Sequence, residues 1–466
     1  MNSPRLPHFP FIDELIRRGG EVYLVGGNVR DHFLKIEHND YDLLVRKIPY
    51  AVLVDLLKKR GKTATVGKTF GVIKFTPEQT GVPAFDIALP RIEKSTGAGH
   101  RDFQVDFDPE LAVERDLARR DFTINAMALN LATEELVDPF GGKKDLEGRI
   151  LRQVFLEAFV EDPLRLMRGV QFTARFELKP DPGTLDAMKK HAPLISTVSR
   201  ERIIEEIRKL LLARYPSIGF DLMRETGLLP IVFPFVDRMI GVLQPMKENE
   251  DVYLHTMKVL DAARSCPDLD EPGNMDIMFS ALLHDAGKPA TRGYDPVKKQ
   301  TTFYSHQLVS KKIARRWLNE FKATCIGLDI DRILNLVENH MFETKHYYTD
   351  RAIRRFINKI GPDNIFRLID LRIADRQGGK FPRSLKGVYR LREKIREELE
   401  KKPPFGPRDL AVNGHDIMKL GFKAGPIIGK IQKFLVEKVL DEPELNEKEK
   451  LIELIKKNFP HEKKEN

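Results

Sequence analysis

Short apolar runs rich in β-branched residues alternate with helical segments over the first 140 residues. The apolar runs read EVYLVGG, YDLLVRK, VIKFTP and FDIAL, and one helical segment reads YAVLVDLLKKRG. Runs of this length predict strands, so the N-terminal part is predicted to be α+β. From about Leu146 onward, apolar residues recur at helical spacing, as in DPLRLMRGVQFTARF and RERIIEEIRKLLLARY. The remainder of the chain is therefore predicted to be all-α.

Two breaks divide the helical part. The first is a polar joint at Gln244–His255, and the second is the proline-rich stretch Lys401–Leu410. The predicted domains are an α+β head at 1–145, a helical neck at 146–243, a helical body at 244–400 and a helical tail at 401–466.

Composition narrows the classes of protein that fit this pattern. The 466 residues are 41% hydrophobic and 32% charged, and no apolar run approaches the roughly 18–20 residues that cross a bilayer. The N-terminus lacks the charged and apolar regions of a signal peptide, and the two cysteines, Cys266 and Cys325, favour a reducing cytoplasm. The net charge of +9 is compatible with a nucleic-acid partner.

Two carboxylates interrupt an apolar run at Asp40-Tyr41-Asp42. Alternation along a strand places Asp40 and Asp42 on one face, where they would repel each other unless a cation lies between them. Mg²⁺ fits this role, because it takes oxygen ligands from one or two carboxylates and from substrate phosphates. Upstream, Gly26 and Gly27 end a strand and leave backbone N–H groups open to a phosphate. With Asp86 on a later strand, this set predicts a two-metal nucleotidyl-transfer site.

The stretch Val66–Gly71 (VGKTFG) contains the Gly-Lys-Thr of a phosphate-binding P-loop. A P-loop also requires a glycine five positions before Gly67, and that position is Lys62. The stretch is therefore predicted to be a turn between strands.

Two further motifs carry arginines beside carboxylates. Arg119, Arg120 and Asp121 open one segment, in which the arginines are suited to clamp a triphosphate or a ribose. In the other, Glu161, Asp162 and Arg165 are expected on one helical turn, with Arg168 one turn later. An aspartate and an arginine in fixed positions can offer acceptor and donor groups to a base. The alternative for each motif is an intrahelical ion pair.

A second constellation of histidines and aspartates lies in the helical body. Its members are His255, His284, Asp285, His306, His340 and Asp375. Imidazole and carboxylate groups bind divalent transition metals such as Mn, Fe, Co or Ni, and several of these residues lie on apolar helices where an unpaired charge is costly.

The motifs of the first 235 residues resemble those of the class II tRNA nucleotidyltransferases, the bacterial CCA-adding type. The resemblance is carried, in family order, by LVGGNVRD, NDYD, RRDFTINAMA, VDPFGGKKDLEGRILR, EDPLRLMRGVQFTARF and SRERIIEEIRKLL. It implies a polymerase-β-like nucleotidyltransferase head followed by a helical neck that binds the nucleotide base and tRNA. It also implies CTP, ATP and the tRNA 3′ end as partners, with no membrane, and a monomer or homodimer.

The same resemblance implies roles for individual residues. Asp40 and Asp42 would bind catalytic Mg²⁺, with Asp86 as a third catalytic carboxylate. The residues implied to bind nucleotide are Gly26, Gly27, Arg30, Arg119, Arg120, Asp121, Asn125, Asp162, Arg165 and Arg168. Asp162 and Arg165 would pair with the base as an amino-acid template. Arg202 and Glu206 would brace their helix.

The body resembles an HD-superfamily phosphohydrolase domain. This resemblance implies that His255, His284, Asp285 and Asp375 bind a divalent metal, either a transition metal (Mn, Ni, Co or Fe) or Mg²⁺. His306 and His340 match positions that supply a second metal in binuclear relatives. Phosphatase or phosphodiesterase activity is expected, and a domain kept only for its helical packing is the alternative.

Three functions remain open from the sequence. The first is a CCA-adding enzyme with an HD body. The second is a partial enzyme that adds only CC or A, or a poly(A) polymerase of the same class. The third is an HD phosphohydrolase with a nucleotide- or RNA-binding module. The long charged loop Pro90–Ala118 favours A addition, and the paired aspartates disfavour the third.

Overall fold

The computed structural model describes residues 9–36, 40–66, 72–78, 83–95, 103–244, 250–344, 347–379, 384–401 and 404–459. The turn predicted at Val66–Gly71 lies, apart from its first residue, outside this set. The strands flanking it pair in antiparallel fashion, with Val66 opposite Val72. Among the described helices, none is both long enough and apolar enough to cross a membrane.

Strands are concentrated in the N-terminal part, as the alternating pattern predicts. They are β1 (Glu21–Val25), β2 (Asp40–Arg46), β3 (Gly61–Val66), β4 (Val72–Pro77), β5 (Ala84–Ala88), β6 (Arg91–Ser95), β7 (Phe103–Phe107), β8 (Ala128–Asn130), β9 (Leu136–Val137), β10 (Ile150–Leu151), β11 (Lys179–Pro180), β12 (Gly293–Asp295) and β13 (Gln300–Thr302).

Helices of the head and neck follow one another closely. They are α1 (Pro10–Arg17), α2 (Gly27–Leu34), α3 (Tyr50–Lys58), α4 (Val113–Ala118), α5 (Gly142–Glu147), α6 (Ala158–Glu161), α7 (Leu164–Phe176), α8 (Pro182–His191), α9 (Arg200–Leu211), α10 (Ser217–Thr226) and α11 (Leu229–Val232).

The remaining helices form the body and the tail. They are α12 (Pro234–Asp237), α13 (Val252–Ser265), α14 (Met275–Leu283), α15 (His306–Glu320), α16 (Ile330–Asn339), α17 (Asp350–Ile360), α18 (Ile365–Gln377), α19 (Lys386–Glu400), α20 (Gly414–Lys419), α21 (Pro426–Asp441) and α22 (Lys448–Asn458).

The chain folds into two compact units. Unit 1 comprises 1–213 and 218–232, and unit 2 comprises 214–217 and 233–466. Unit 1 thus contains the head and most of the predicted neck, and unit 2 contains the end of the predicted neck with the body and the tail. The tail has its own cluster of buried apolar side chains, which runs from Leu410 to Ile455. The finer division into four domains stays a prediction.

A mixed sheet organises the head. Seven of the described strands lie in the order β3-β4-β5-β2-β1-β8-β9, and only the β2–β5 pair is parallel. Helices α1 and α3 cover one face, where Phe11 meets Phe75 and Phe85 with ring centroids 4.9 Å apart. The opposite face packs against α4 through residues such as Leu44 and Leu117. These observations confirm the α+β head and the helical remainder.

Two close approaches at glycines organise this region, one between the neck and the head and one within the head. A Cβ on Gly169 of α7 would lie 3.0 Å from the Phe122 ring, and one on Gly142 would lie 2.1 Å from the carbonyl oxygen of Thr123. Only glycine permits the 2.1 Å approach at Gly142, and a Cβ at Gly169 would require the Phe122 ring to shift. These approaches hold the residues around 119–125 against the start of α7, and the candidate site forms there.

Candidate functional site

Strand β2 brings Asp42 to the face of the sheet that packs against α4. Leu43 and Val45 point to the core beneath α1, whereas Leu44 points to the opposite face, so alternation places Asp42 on the side of Leu44. Asp86 of β5 lies directly opposite Asp42 in the parallel register. The structure therefore places Asp42 and Asp86 side by side on one face. Asp40 is the first residue of β2, and its side chain lies outside the described set.

The glycine pair joins β1 to α2 in a conformation that glycine adopts readily. Gly26 has φ +65° and ψ −125°, and a Cβ there would lie 2.6 Å from Arg120 Nη1. Gly27 begins α2, and on the same helix Asn28 Oδ1 accepts a 2.6 Å hydrogen bond from the backbone N–H of Asp42. The turn thus fixes β2, which carries Asp42, relative to the start of α2.

A cleft of about 420 Å³ opens between these elements and the neck. It is lined by Gly26, Gly27, Arg30, Asp42, Arg119, Arg120, Asp121, Asn125, Asp162, Arg165, Arg168, Gln171, Phe172, Arg175 and Lys209. Eleven of these residues were predicted from the sequence. Asp86 is not among the lining residues, although its register places it beside Asp42.

Arg119 and Arg120 share a buried carboxylate. Asp116 Oδ1 accepts from Arg119 Nη2 at 2.6 Å, and Asp116 Oδ2 accepts from Arg120 Nη2 at 3.2 Å. Burial alone would raise the pKa of Asp116, but the two guanidinium groups outweigh it and lower the pKa. The alternative interpretation of this motif, a local ion pair, is therefore partly correct. The carboxylate of Asp116 also holds the two arginines in the cleft.

Asp121 connects the head to the neck across 47 residues. Its carboxylate accepts from Arg168 Nε at 2.7 Å, from Asn125 Nδ2 at 3.0 Å and from the backbone N–H of Phe122 at 2.8 Å. Burial would raise the pKa of Asp121, yet Arg168 and Asn125 lower it. Asn125 Oδ1 in turn accepts from Arg30 Nη1 at 2.6 Å. One network therefore holds four of the predicted nucleotide-binding residues.

The Glu-Asp-Arg motif does not lie on one helical turn, so that expectation is wrong. Helix α6 ends at Glu161, Asp162 is extended with φ −139°, and Arg165 belongs to the first turn of α7. The intervening Pro163 lacks the N–H that would continue α6. Asp162 pairs instead with Arg202 of α9 at 3.1 Å, and Arg165 donates to the carbonyl of Arg119 at 2.8 Å.

Four lining residues were missed by the sequence reasoning. Gln171, Phe172 and Arg175 follow Arg168 at intervals of three, four and seven residues, so they continue its face of α7. Helical spacing was the signal that could have found them. Lys209 lies on α9 and forms an i,i+3 ion pair with Glu206 at 2.8 Å, and no local pattern indicates that it reaches the cleft.

The six predicted ligands of the body come together in unit 2. They form two groups whose ligand atoms lie within 4.8 Å of one another: His255, His284 and Asp375, and Asp285, His306 and His340. Asp285 links the groups, because its Oδ2 lies 3.2 Å from His284 Nε2 and its Oδ1 lies 3.3 Å from His306 Nε2.

Backbone carbonyls orient three of the four imidazoles. The Nδ1–H groups of His284, His306 and His340 donate to the carbonyls of Ala281, Phe303 and Val337 at 2.7, 2.8 and 2.7 Å. This bond fixes the tautomer and leaves each Nε2 lone pair facing the cluster, an arrangement typical of metal-binding histidines. Nε2 of His284 is buried and, despite its proximity to Asp285, makes no hydrogen bond of good geometry.

The pKa shifts of His340 and Asp375 favour cation binding by the cluster. Burial lowers the pKa of His340 to about 3, so its imidazole is neutral at physiological pH. Burial would raise the pKa of Asp375, but its hydrogen bond with His255 and nearby positive charge, including that of Arg372, outweigh burial and lower the pKa. Two cations that were not predicted contact the carboxylates: Lys288 Nζ lies 2.5 Å from Asp285 Oδ2, and Arg372 Nη1 lies 2.9 Å from Asp375 Oδ2. The neutral imidazole of His340 and the ionised carboxylates of Asp285 and Asp375 fit a divalent metal.

Known protein families match four consecutive segments of the chain. Residues 22–152 match the Poly A polymerase head domain, and residues 177–240 match the probable RNA and SrmB-binding site of polymerase A. Residues 252–377 match the HD domain, and residues 383–455 match domain 2 of tRNA nucleotidyltransferase. The nucleotidyltransferase and HD domains imply binding of divalent metals.

Curated relatives share about a third of their aligned residues with the chain. The multifunctional CCA protein of Vibrio campbellii is 35% identical over 311 residues, which cover 65% of this chain and 72% of that protein. The multifunctional CCA protein of Actinobacillus pleuropneumoniae is 34% identical over 345 residues, which cover 72% of this chain and 79% of that protein.

Solved structures of similar fold extend over nearly the whole chain. The Bacillus stearothermophilus CCA-adding enzyme in complex with CTP has a TM-score of 0.70 at 24% identity, covering 96% of both chains. The Thermotoga maritima CCA-adding enzyme complexed with tRNA has a TM-score of 0.55 at 21% identity, covering 97% of both. The chain therefore belongs to the family of multifunctional CCA proteins, class II tRNA nucleotidyltransferases that carry an HD domain.

Proposed function

We propose that the chain adds CCA to the tRNA 3′ end from CTP and ATP without a nucleic-acid template. The observation that carries the proposal is the composition of the cleft in unit 1. It combines the Asp42 carboxylate and the Gly26–Gly27 turn of the head with Asp162 and Arg165 of the neck. Phosphate-binding and base-binding groups therefore face one ligand.

The head supplies the reaction centre. We assign the catalytic Mg²⁺ ions to Asp40 and Asp42, with Asp86 beside Asp42 as the third carboxylate. When bound, the ions would lower the pKa of the RNA 3′-hydroxyl and neutralise charge on the leaving pyrophosphate. The backbone N–H groups of the Gly26–Gly27 turn are placed to hold the triphosphate, so the protein's part in the chemistry is mainly positioning.

The neck supplies the choice of nucleotide. Asp162 can accept from the amino group that cytosine and adenine share, and Arg165 can donate to a ring nitrogen or carbonyl. Arg202 pairs with Asp162 at 3.1 Å, and the carbonyls of Arg119 and Ala158 accept from Arg165 at 2.8 and 3.2 Å. Fixed side chains of this kind can select a base by the positions of its donors and acceptors, as a template base does.

The arginines of the head hold the rest of the nucleotide. Arg119 and Arg120 both pair with Asp116, which holds their guanidinium groups at the lining of the cleft. Arg168 is tied to Asp121 at 2.7 Å, which fixes both residues where a ribose would lie between base and triphosphate. Loss of either partner would leave a buried charge uncompensated.

Incorporation assays separate this function from its alternatives. Labelled CTP and ATP, alone and together, are offered to tRNA that ends at the discriminator base, after the first C or after the second C. Full CCA addition requires CTP on the first two acceptors and ATP on the third. Incorporation restricted to CTP or to ATP would indicate a partial enzyme, and long ATP tracts would indicate a poly(A) polymerase.

Asp42→Ala tests the metal-dependent chemistry, because it removes a single carboxylate at an exposed edge of the cleft. Incorporation should fall below detection, since a positioned metal is lost. Asp162→Ala should retain incorporation but lose the choice between CTP and ATP. Persistent incorporation by Asp42→Ala would contradict the two-metal assignment.

The cluster in unit 2 supports a second activity, hydrolysis of phosphate esters. Four imidazoles and two carboxylates converge there, and the buried Nε2 of His284 makes no good hydrogen bond. Such sites bind divalent transition metals or Mg²⁺, which when bound supply an activated water. Lys288 and Arg372 contact the two carboxylates and hold them in place. Nucleotides or cyclic phosphates are the proposed substrate class.

A further inference from the structure

Arg175 differs from the other cations that line the cleft of unit 1. Each of the others lies within 4.0 Å of a carboxylate oxygen: Arg30 of Asp31, Arg119 and Arg120 of Asp116, Arg165 of Glu161, Arg168 of Asp121, and Lys209 of Glu206. Arg175 Nη1 donates to Gln171 Oε1 at 3.2 Å, and within the described ranges it has no ion pair. The guanidinium of Arg175 therefore lines the cleft with no carboxylate oxygen of the described residues within 4.0 Å, although the more distant charges of Asp31 and Glu206 also act on it.

A second cation stands close to Arg175. The guanidinium carbon of Arg30 lies 4.4 Å from the centroid of the Phe176 ring, and that of Arg175 lies 5.1 Å from the same centroid. Both arginines line the cleft. The pKa of Arg175 is lowered, first by burial and then by the charge of Arg30. An anion in the cleft would relieve this repulsion and would use the guanidinium N–H groups that Gln171 leaves free.

The position of Arg175 along α7 indicates which part of a nucleotide would reach it. Arg175 follows Arg165 by ten residues, which corresponds to about 15 Å along a helix axis. It therefore lies at the opposite end of the cleft from Asp162 and Arg165. With the base at that pair, as the proposed function requires, the triphosphate points towards the Gly26–Gly27 turn and onward to Arg175.

We propose that Arg175, together with Lys209 of α9, which lines the same cleft, forms a subsite for the terminal phosphate of the incoming nucleoside triphosphate. The same subsite would hold the pyrophosphate product before it leaves. A guanidinium offers two parallel N–H donors that match the spacing of phosphate oxygens, and it stays charged at every working pH. Lys209 contributes less, because Glu206 already pairs with it.

Two competing roles for Arg175 are distinguished by the experiment. The first is stabilisation of the C-terminus of α7, since Arg175 lies in its last turn. The second is a contact with a phosphate of the tRNA backbone instead of the nucleotide. Lys190 is the matched control for the first role, because it lies in the last turn of α8 in the same unit and is not among the residues that line the cleft.

Full-length Arg175→Gln, Arg175→Lys, Lys209→Gln and Lys190→Gln are compared with the unaltered chain. Arg175→Gln should raise the KM for ATP and CTP about tenfold, the effect of one lost charge-assisted hydrogen bond. It should weaken inhibition by inorganic pyrophosphate by a similar factor. The KM for tRNA and inhibition by AMP, which lacks the terminal phosphates, should stay within about twofold. The KM values of Arg175→Lys for ATP and CTP should lie between those of Arg175→Gln and those of the unaltered chain. Lysine keeps the positive charge but loses the paired N–H donors of the guanidinium.

Each other outcome overturns the inference. An increased KM for tRNA with an unchanged KM for ATP would assign Arg175 to the RNA backbone. A lower melting temperature with unchanged kinetics, as expected for Lys190→Gln, would leave it as a helix-terminal charge. Calorimetric titration of each protein with ATP and AMP tests the subsite even where the unaltered chain incorporates nothing. In that case the proposed function fails, and the inference fails separately if Arg175→Gln binds ATP as tightly as the unaltered chain.

Discussion

Replacement of Gly26 by alanine tests whether the turn before α2 is needed to hold Arg120 in the cleft. Gly26 has φ +65°, and an alanine Cβ would lie 2.6 Å from Arg120 Nη1. Left-handed backbone costs a non-glycine residue about 1–2 kcal/mol. Displacing Arg120 weakens its 3.2 Å bond to Asp116, which adds about 1.5–3 kcal/mol for a hydrogen bond to a charged group. Gly26→Ala should therefore lower the free energy of unfolding of unit 1 by about 2.5–5 kcal/mol.

Gly19→Ala is the control for backbone strain alone. Gly19 also has positive φ, +84°, but a Cβ there would meet no atom within 4 Å. Its substitution should cost about 1 kcal/mol. Stability is measured by urea unfolding, and activity by kcat/KM for ATP on tRNA that lacks only the final A. Gly26→Ala should lower kcat/KM at least about tenfold, because Arg120 leaves the cleft, whereas Gly19→Ala should leave it unchanged. Equal effects of both substitutions on stability and on kcat/KM would refute the reasoning.

Three further predictions concern unit 2. Arg354→Met removes one of the two cations that pair with the buried Glu398 and leaves only Lys401, so it should cost about 1–3 kcal/mol of unfolding free energy, part of which the double variant with Glu398→Met should restore. Burial raises the pKa of Asp370 to about 6, so its stabilising protonated form is lost as pH rises from about 4 to 6. Asp370→Asn should flatten the fall in unfolding free energy across that window, and an unchanged pH profile would contradict the assignment. His284→Asn should reduce the bound transition metal, measured by elemental analysis after dialysis, and abolish phosphatase activity while CTP and ATP incorporation persists. Loss of incorporation would show that the cluster is structural.

Most of the local architecture could be predicted from the sequence. Short-range properties depend largely on neighbouring residues. They include the helical spacing of apolar residues in α7 and α9, the alternation along β2 and the turn at Gly26 and Gly27. The resemblance to a known family added the roles of individual residues. The prediction that Glu161, Asp162 and Arg165 share one helical turn was wrong for a local reason. Pro163 lies between the end of α6 and the start of α7.

The sequence by itself determined which chemical groups the chain carries and on which kind of element each lies. Only the tertiary structure decided which of them meet. Asp121 pairs with Arg168 across 47 residues, Asp162 with Arg202 across 40, and His255 with Asp375 across 120. The physical reason is that periodicity fixes the face of an element but not its neighbour. The neighbour depends on packing, which here includes close approaches such as that of Gly169 to Phe122.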